Sequence, residues 1–130
     1  MNKKPAITVS ELDVERLEKL LARHPNKALE NELDRAKVCK PEKMPANVVS
    51  MNSTVQFRLT GSDDIFCKTL VYPKDTQQAD SISVLAPVGS ALLGLKIGDT
   101  MAWPAPGGKT LEVVIEAIRY QPESAGDLYR

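Results

Sequence analysis

The feature that most constrains this chain is the break at Pro41-Glu42-Lys43-Met44-Pro45. Proline removes a backbone donor and bars the residue before it from helical geometry, so two prolines four positions apart stop a helix and keep it stopped. Upstream of the break, apolar residues recur at helical spacing; downstream they alternate and are often β-branched. The break therefore separates two parts, residues 1–43 and residues 44–130. A chain of 130 residues has room for one ordinary domain with an appendage, but not for two full-sized domains.

In the first part, Ser10 followed by Asp13 has the form of a capping box with aspartate in place of glutamate, ahead of Val14, Leu17 and Leu21. The spacing predicts a helix from Ser10 to Arg23, about 21 Å long at 1.5 Å per residue. Asn26 can cap a second helix carrying Leu29, Leu33 and Ala36 and ending before Pro41. Charged residues flank both narrow apolar stripes, the pattern of a two-helix seam that projects into solvent as a short coiled coil. Isolated helices of this length are marginal, so the partner helix has to supply the stability.

The second part reads as a curled antiparallel sheet with one small helix. Thr54–Leu59 and Ile65–Tyr72 form a hairpin about Gly61-Ser62-Asp63-Asp64, Ile82-Ser83-Val84 is a short strand, and Pro87–Gly94 is a brief helix with proline near its start and glycine at its end. Thr100–Trp103 and Lys109–Tyr120 are strands joined by Pro104–Gly108, the second with Leu111, Val113, Ile115 and Ala117 on one face. Phe57, Phe66, Tyr72 and Trp103 fall inside strand patterns, where packing is the commoner use of an aromatic ring than base stacking. Gln121–Arg130 lacks periodicity and reads as a tail. The expected fold class is α+β.

Lysine and arginine together number 17, as do aspartate and glutamate, so no net positive field holds phosphates by counterion release and general nucleic-acid binding is disfavoured. Cys39 and Cys67 lack the spacing of a zinc site and the chain has a single histidine, His24, so both cysteines are expected reduced and no metal or other cofactor is expected. Neither P-loop nor dinucleotide-binding glycine motif occurs. No long apolar run or apolar leader follows Met1–Pro5, which points to the cytoplasm.

The stretch Ile82-Ser83-Val84-Leu85-Ala86-Pro87-Val88-Gly89-Ser90-Ala91-Leu92-Leu93-Gly94, with Gly98-Asp99 and Pro106-Gly107-Gly108 beyond it, strongly resembles the C-terminal domain of the bacterial Gre transcript-cleavage factors. Taken with the helical hairpin, Leu33-Asp34-Arg35-Ala36, Val49-Ser50-Met51-Asn52-Ser53 and Leu70-Val71-Tyr72-Pro73, the whole resembles the Rnk family, regulators of nucleoside diphosphate kinase and short-hairpin relatives of the Gre factors.

The resemblance implies an FKBP-like sheet domain docked on RNA polymerase at the rim of its secondary channel, with the helical hairpin entering the channel. The docking element in Gre factors precedes the small helix, which corresponds here to Leu85, Ala86, Pro87, Val88 and Gly89; only the proline of their acidic-Ser-Pro sequence is kept. The apolar loop that results can bury surface against a partner or cap the core. In Gre factors the hairpin tip carries two acids that help hold a catalytic magnesium ion, a task suited to hard carboxylate oxygens at one fixed place. Here the turn Arg23-His24-Pro25-Asn26-Lys27-Ala28 has no carboxylate, and the nearest acids are Glu30, Glu32 and Asp34, one to two turns along the second helix. The expectation is a monomeric, non-enzymatic regulator that competes with Gre factors without stimulating cleavage. The alternatives are a cleavage-stimulating factor using Glu30 or Glu32, a prolyl isomerase by fold analogy, and a regulator of nucleoside diphosphate metabolism acting through another protein.

Overall fold

The computed structural model describes residues 6–60, 64–104 and 110–127. It is an α+β structure, with elements in the order β1 (Thr8–Ser10), α1 (Glu11–Arg23), α2 (Lys27–Asp34), β2 (Lys37–Cys39), β3 (Thr54–Leu59), β4 (Ile65–Val71), β5 (Ser81–Ser83), α3 (Pro87–Leu92), β6 (Thr100–Pro104) and β7 (Thr110–Tyr120). Short 3-10 turns occupy Pro41–Lys43 and Pro73–Asp75, each opened by its proline. The expected Gly61–Asp63 portion of the β3–β4 turn, the 105–109 connection, the final residues 128–130 and the side chain of Trp103 lie outside the described residues.

Both predicted helix caps form. Ser10 Oγ accepts the Asp13 N–H at 3.1 Å, and Asn26 Oδ1 accepts the Leu29 N–H at 3.1 Å. The second helix is shorter than its apolar spacing suggests and stops at Asp34, before Ala36. The residues beyond it leave helical geometry because β2 pairs in parallel with β1, Val9 opposite Val38, across the base of the helical pair. Three residues ahead of α1 thus form a strand absent from the sequence reading.

The main sheet runs in the order β5-β4-β3-β7-β6 and is mixed. Its pairs are antiparallel except for β4 and β5, which run parallel, correcting the all-antiparallel expectation. The chain turns at Pro73–Asp75 and returns along the outer edge of β4 in the same direction. On β7, Val113 and Ile115 face the core as predicted, while Ala117 is half-buried beside irregular β3–β7 register. Phe57 and Phe66 stack with centroids 5.6 Å apart.

The larger correction concerns the helical pair, which is not a free coiled-coil rod. Leu17 of α1 and Leu29 of α2 are both fully buried, and they enter the same core as Val49, Val55, Val84, Leu92 and Leu93 of the sheet part. Helix α2 packs against α3. Each buried leucine contributes roughly 1.5–3 kcal/mol, more than exposed flanking charges can, so the narrow stripes serve the sheet part as well as each other.

Two motif glycines hold this arrangement. Gly94 has a φ of +81°, and a Cβ there would lie 2.6 Å from Ile7 Cβ; its carbonyl accepts the Thr8 N–H at 3.2 Å, anchoring β1. At Gly89 no turn is involved: α3 crosses β5 so closely that a Cβ would collide with the Ser83 carbonyl. The tail also differs from expectation, since Gln121 is buried and its amide donates to the carbonyls of Pro45 and Val48, both at 2.7 Å.

Candidate functional site

The hairpin turn and the loop before α3 are far apart in sequence and adjacent in space. Asn26 caps α2 with its side-chain oxygen and, with its amide nitrogen, donates to the Leu85 carbonyl at 2.9 Å. The Leu85 N–H in turn donates to Ser83 Oγ at 3.1 Å, and Ala86 caps α3, its carbonyl accepting from Ser90 at 2.9 Å. The two groups of residues singled out from sequence therefore form one surface feature.

Their exposure is uneven. His24, Pro25 and Lys27 are exposed at the turn, and the His24 N–H closes α1 on the Leu20 carbonyl at 2.8 Å. Leu85 and Val88 are half-buried and pack on the core, Pro87 opens α3, and Gly89 is buried against β5. The loop caps the core and leaves only part of the Leu85 and Val88 side chains for a partner. Of the nearby acids, Asp34 is exposed and Glu30 half-buried, but Glu32 is 3% exposed and forms a 2.7 Å ion pair with Arg35. Glu32 is thus held in a salt bridge within the fold, on a helix that packs against α3. Among the described residues, no group of three or more His, Cys, Asp or Glu side chains could hold a metal ion.

A second feature, unread in the sequence, joins the helices to the sheet. Asp13 is buried, and instead of completing the capping box its Oδ2 accepts the Met51 N–H at 3.1 Å. Beside it, Ser50 Oγ contacts Ser53 Oγ at 2.9 Å and donates to Glu123 Oε1 at 2.6 Å. Burial pushes the Asp13 carboxyl up to about 7 and Glu123 adds to the rise, against lowering by the Met51 N–H, Arg16 and Ser10. Burial also raises Tyr72, which lies near Asp13 and Arg16. The one signal in the sequence was aspartate where the box prefers glutamate, a shorter side chain less able to reach back to the cap N–H. Cys39 and Cys67 are free thiols, and burial with nearby Glu123 raises the former.

Residues 5–38 match the family described as Rnk N-terminus, and residues 44–120 match that described as Transcription elongation factor, GreA/GreB, C-term. The chain is 45% identical over 131 residues to the regulator of nucleoside diphosphate kinase of Escherichia coli K12, covering 95% of this chain and 96% of that protein. The chain belongs to the Rnk family. Its second part is a GreA/GreB C-terminal domain. The chain is also similar to the transcription elongation factor GreA of Solidesulfovibrio magneticus, with 30% identity over 100 residues, 76% of this chain and 61% of that one. Among solved structures, a prokaryotic transcription elongation factor GreA/GreB from Nitrosomonas europaea superposes with a TM-score of 0.75 at 54% identity, covering 90% of this chain and all of the other. Thermus aquaticus Gfh1, with a TM-score of 0.52 at 19% identity, shares the fold alone. No helix among the described residues is long and apolar enough to cross a membrane.

Proposed function

We propose that this Rnk-family protein is a cytoplasmic, monomeric regulator that binds RNA polymerase at the rim of the secondary channel and competes there with Gre factors without stimulating transcript cleavage. The observation that carries the proposal is the make-up of the hairpin turn, where His24, Pro25, Asn26 and Lys27 stand in place of carboxylates and Asn26 is tied to Leu85. A metal-delivering tip needs hard oxygen ligands at its end and a free reach toward the scissile phosphate. Here α1 has 13 residues, about 20 Å of helix, and the turn rests on the loop before α3. Occupancy is what such a shape can offer.

The contact is assigned to the exposed turn together with the uncovered parts of Leu85, Ala86 and Val88, carried on an FKBP-like sheet. The alternative, cleavage stimulation through Glu30 or Glu32, is disfavoured by the ion pair that Glu32 already makes with Arg35 in the interior. Competition binding to core RNA polymerase against a Gre factor, scored together with RNA cleavage in stalled elongation complexes, tests the proposal. Displacement without shortened RNA supports it; shortened RNA, or no displacement, overturns it.

A further inference from the structure

Helix α1 is polarised in charge across its width. One side, with α2, borders a groove whose acids are Glu18, Glu30 and Asp34. The other overlooks an open cleft of about 980 Å³ between α1 and the sheet part. Arg16, Lys19 and Arg23, at spacings of three and four, line this cleft from a single helical face, and Lys74 faces them from the 3-10 turn after β4. Against these four basic side chains the lining contains one carboxylate, Asp75, while Arg16 is also hydrogen-bonded to Tyr72 and lies near the buried Asp13. Lys19 also lies 3.6 Å from Glu15 on the exposed flank, a contact worth little in water.

The remaining lining is mixed. Leu20, Tyr72 and Pro73 supply an apolar and aromatic side, while Asn52, Thr69 and Gln78 supply polar side chains. Ligand sites are roughly 300–1,000 Å³ and combine such walls with a few convergent charges, so the cleft has room for a ring system as well as phosphates. Clustered cations flanked by an aromatic surface suit a flat base joined to a phosphate chain.

We propose that this cleft binds a nucleoside polyphosphate, its phosphate chain among Arg16, Arg23 and Lys74 and its base against Leu20, Tyr72 and Pro73. The binding rests on side-chain cations, which is compatible with the absence of a glycine-rich phosphate loop. A small ligand is favoured over a nucleic-acid strand because the chain has no net charge, and a strand longer than the cleft would meet the acids on the other side of α1. The inference is independent of polymerase binding.

The test is calorimetric titration of the full chain with ATP, GTP and inorganic tripolyphosphate, alone and in competition with a short single-stranded RNA. Saturable nucleotide binding is expected, several-fold tighter than tripolyphosphate, and weakened at least about tenfold in R23E/K74E and less in R23Q/K74Q. K43Q, outside the cleft, should bind as the parent does, and melting curves of all variants establish that they are folded. The assignment is overturned by no saturable nucleotide binding up to about 1 mM, by equal affinity in R23E/K74E, by tripolyphosphate binding as tightly as nucleotide, or by RNA binding tighter than either.

Discussion

The Asn26 side chain bridges the Leu85 carbonyl at 2.9 Å while its oxygen holds the first turn of α2 at 3.1 Å from the Leu29 N–H. One amide thus serves both as a local cap and as a long-range tie, and the loss of either role can be measured separately. Asn26→Ala removes both and should cost about 1–3 kcal/mol by denaturant unfolding. Asn26→Asp keeps the cap and removes the donor, so it should be the milder change; an Asn26→Asp protein as stable as the parent would show that the Leu85 bond contributes nothing, and equal losses in the two variants that the cap contributes nothing.

The buried Asp13 makes stability depend on pH with a definite sign. Its folded-state pKa is raised from 3.8 to about 7, so the folded chain holds this proton more tightly than the unfolded one. The associated stabilisation is complete below pH 3.8 and is lost as pH rises toward 7. The effect is on the order of 2–4 kcal/mol across that window. Asn can still accept from Met51 and carries no charge, so Asp13→Asn should flatten this component and be more stable than the parent above pH 7, as read from unfolding curves at several pH values. A parallel pH profile in parent and variant would refute the ionisation account.

Leu29 belongs to a core shared by the helices and the sheet, so damage to it should spread. Leu29→Ala is expected to cost about 2–5 kcal/mol. Unfolding followed by the helical signal and by a probe near the sheet should remain coincident. Separate transitions, with the sheet part unaffected, would mean that α2 rests on the sheet without sharing its stability.

At Gly89 the objection to a side chain is contact with backbone, which cannot rotate away. Gly89→Ala must push α3 from β5 at the Ser83 carbonyl, and a loss of at least about 2 kcal/mol is expected from differential scanning calorimetry. Gly98→Ala meets no neighbour but has a φ of +93°, so its smaller cost should come from the backbone alone, about 1–2 kcal/mol.

Local chemistry made much of this protein legible in its sequence: the caps at Ser10 and Asn26, the bounds of β3, the start of α3 at Pro87 and the absence of acids from the hairpin turn all follow from residue type and short spacing. Periodicity also identified Leu17 and Leu29 as buried, but it could not say against what, since an apolar stripe of given width fits a partner helix or a sheet equally well. Tertiary structure decided that choice. It brought β2 beside β1, ended α2 at Asp34, turned Glu32 inward, sent Asp13 to Met51 and set Asn26 on Leu85. Apart from the local pair of Glu32 with Arg35, each of these contacts joins residues far apart in the chain, and its free energy exists only once the distant partner has arrived.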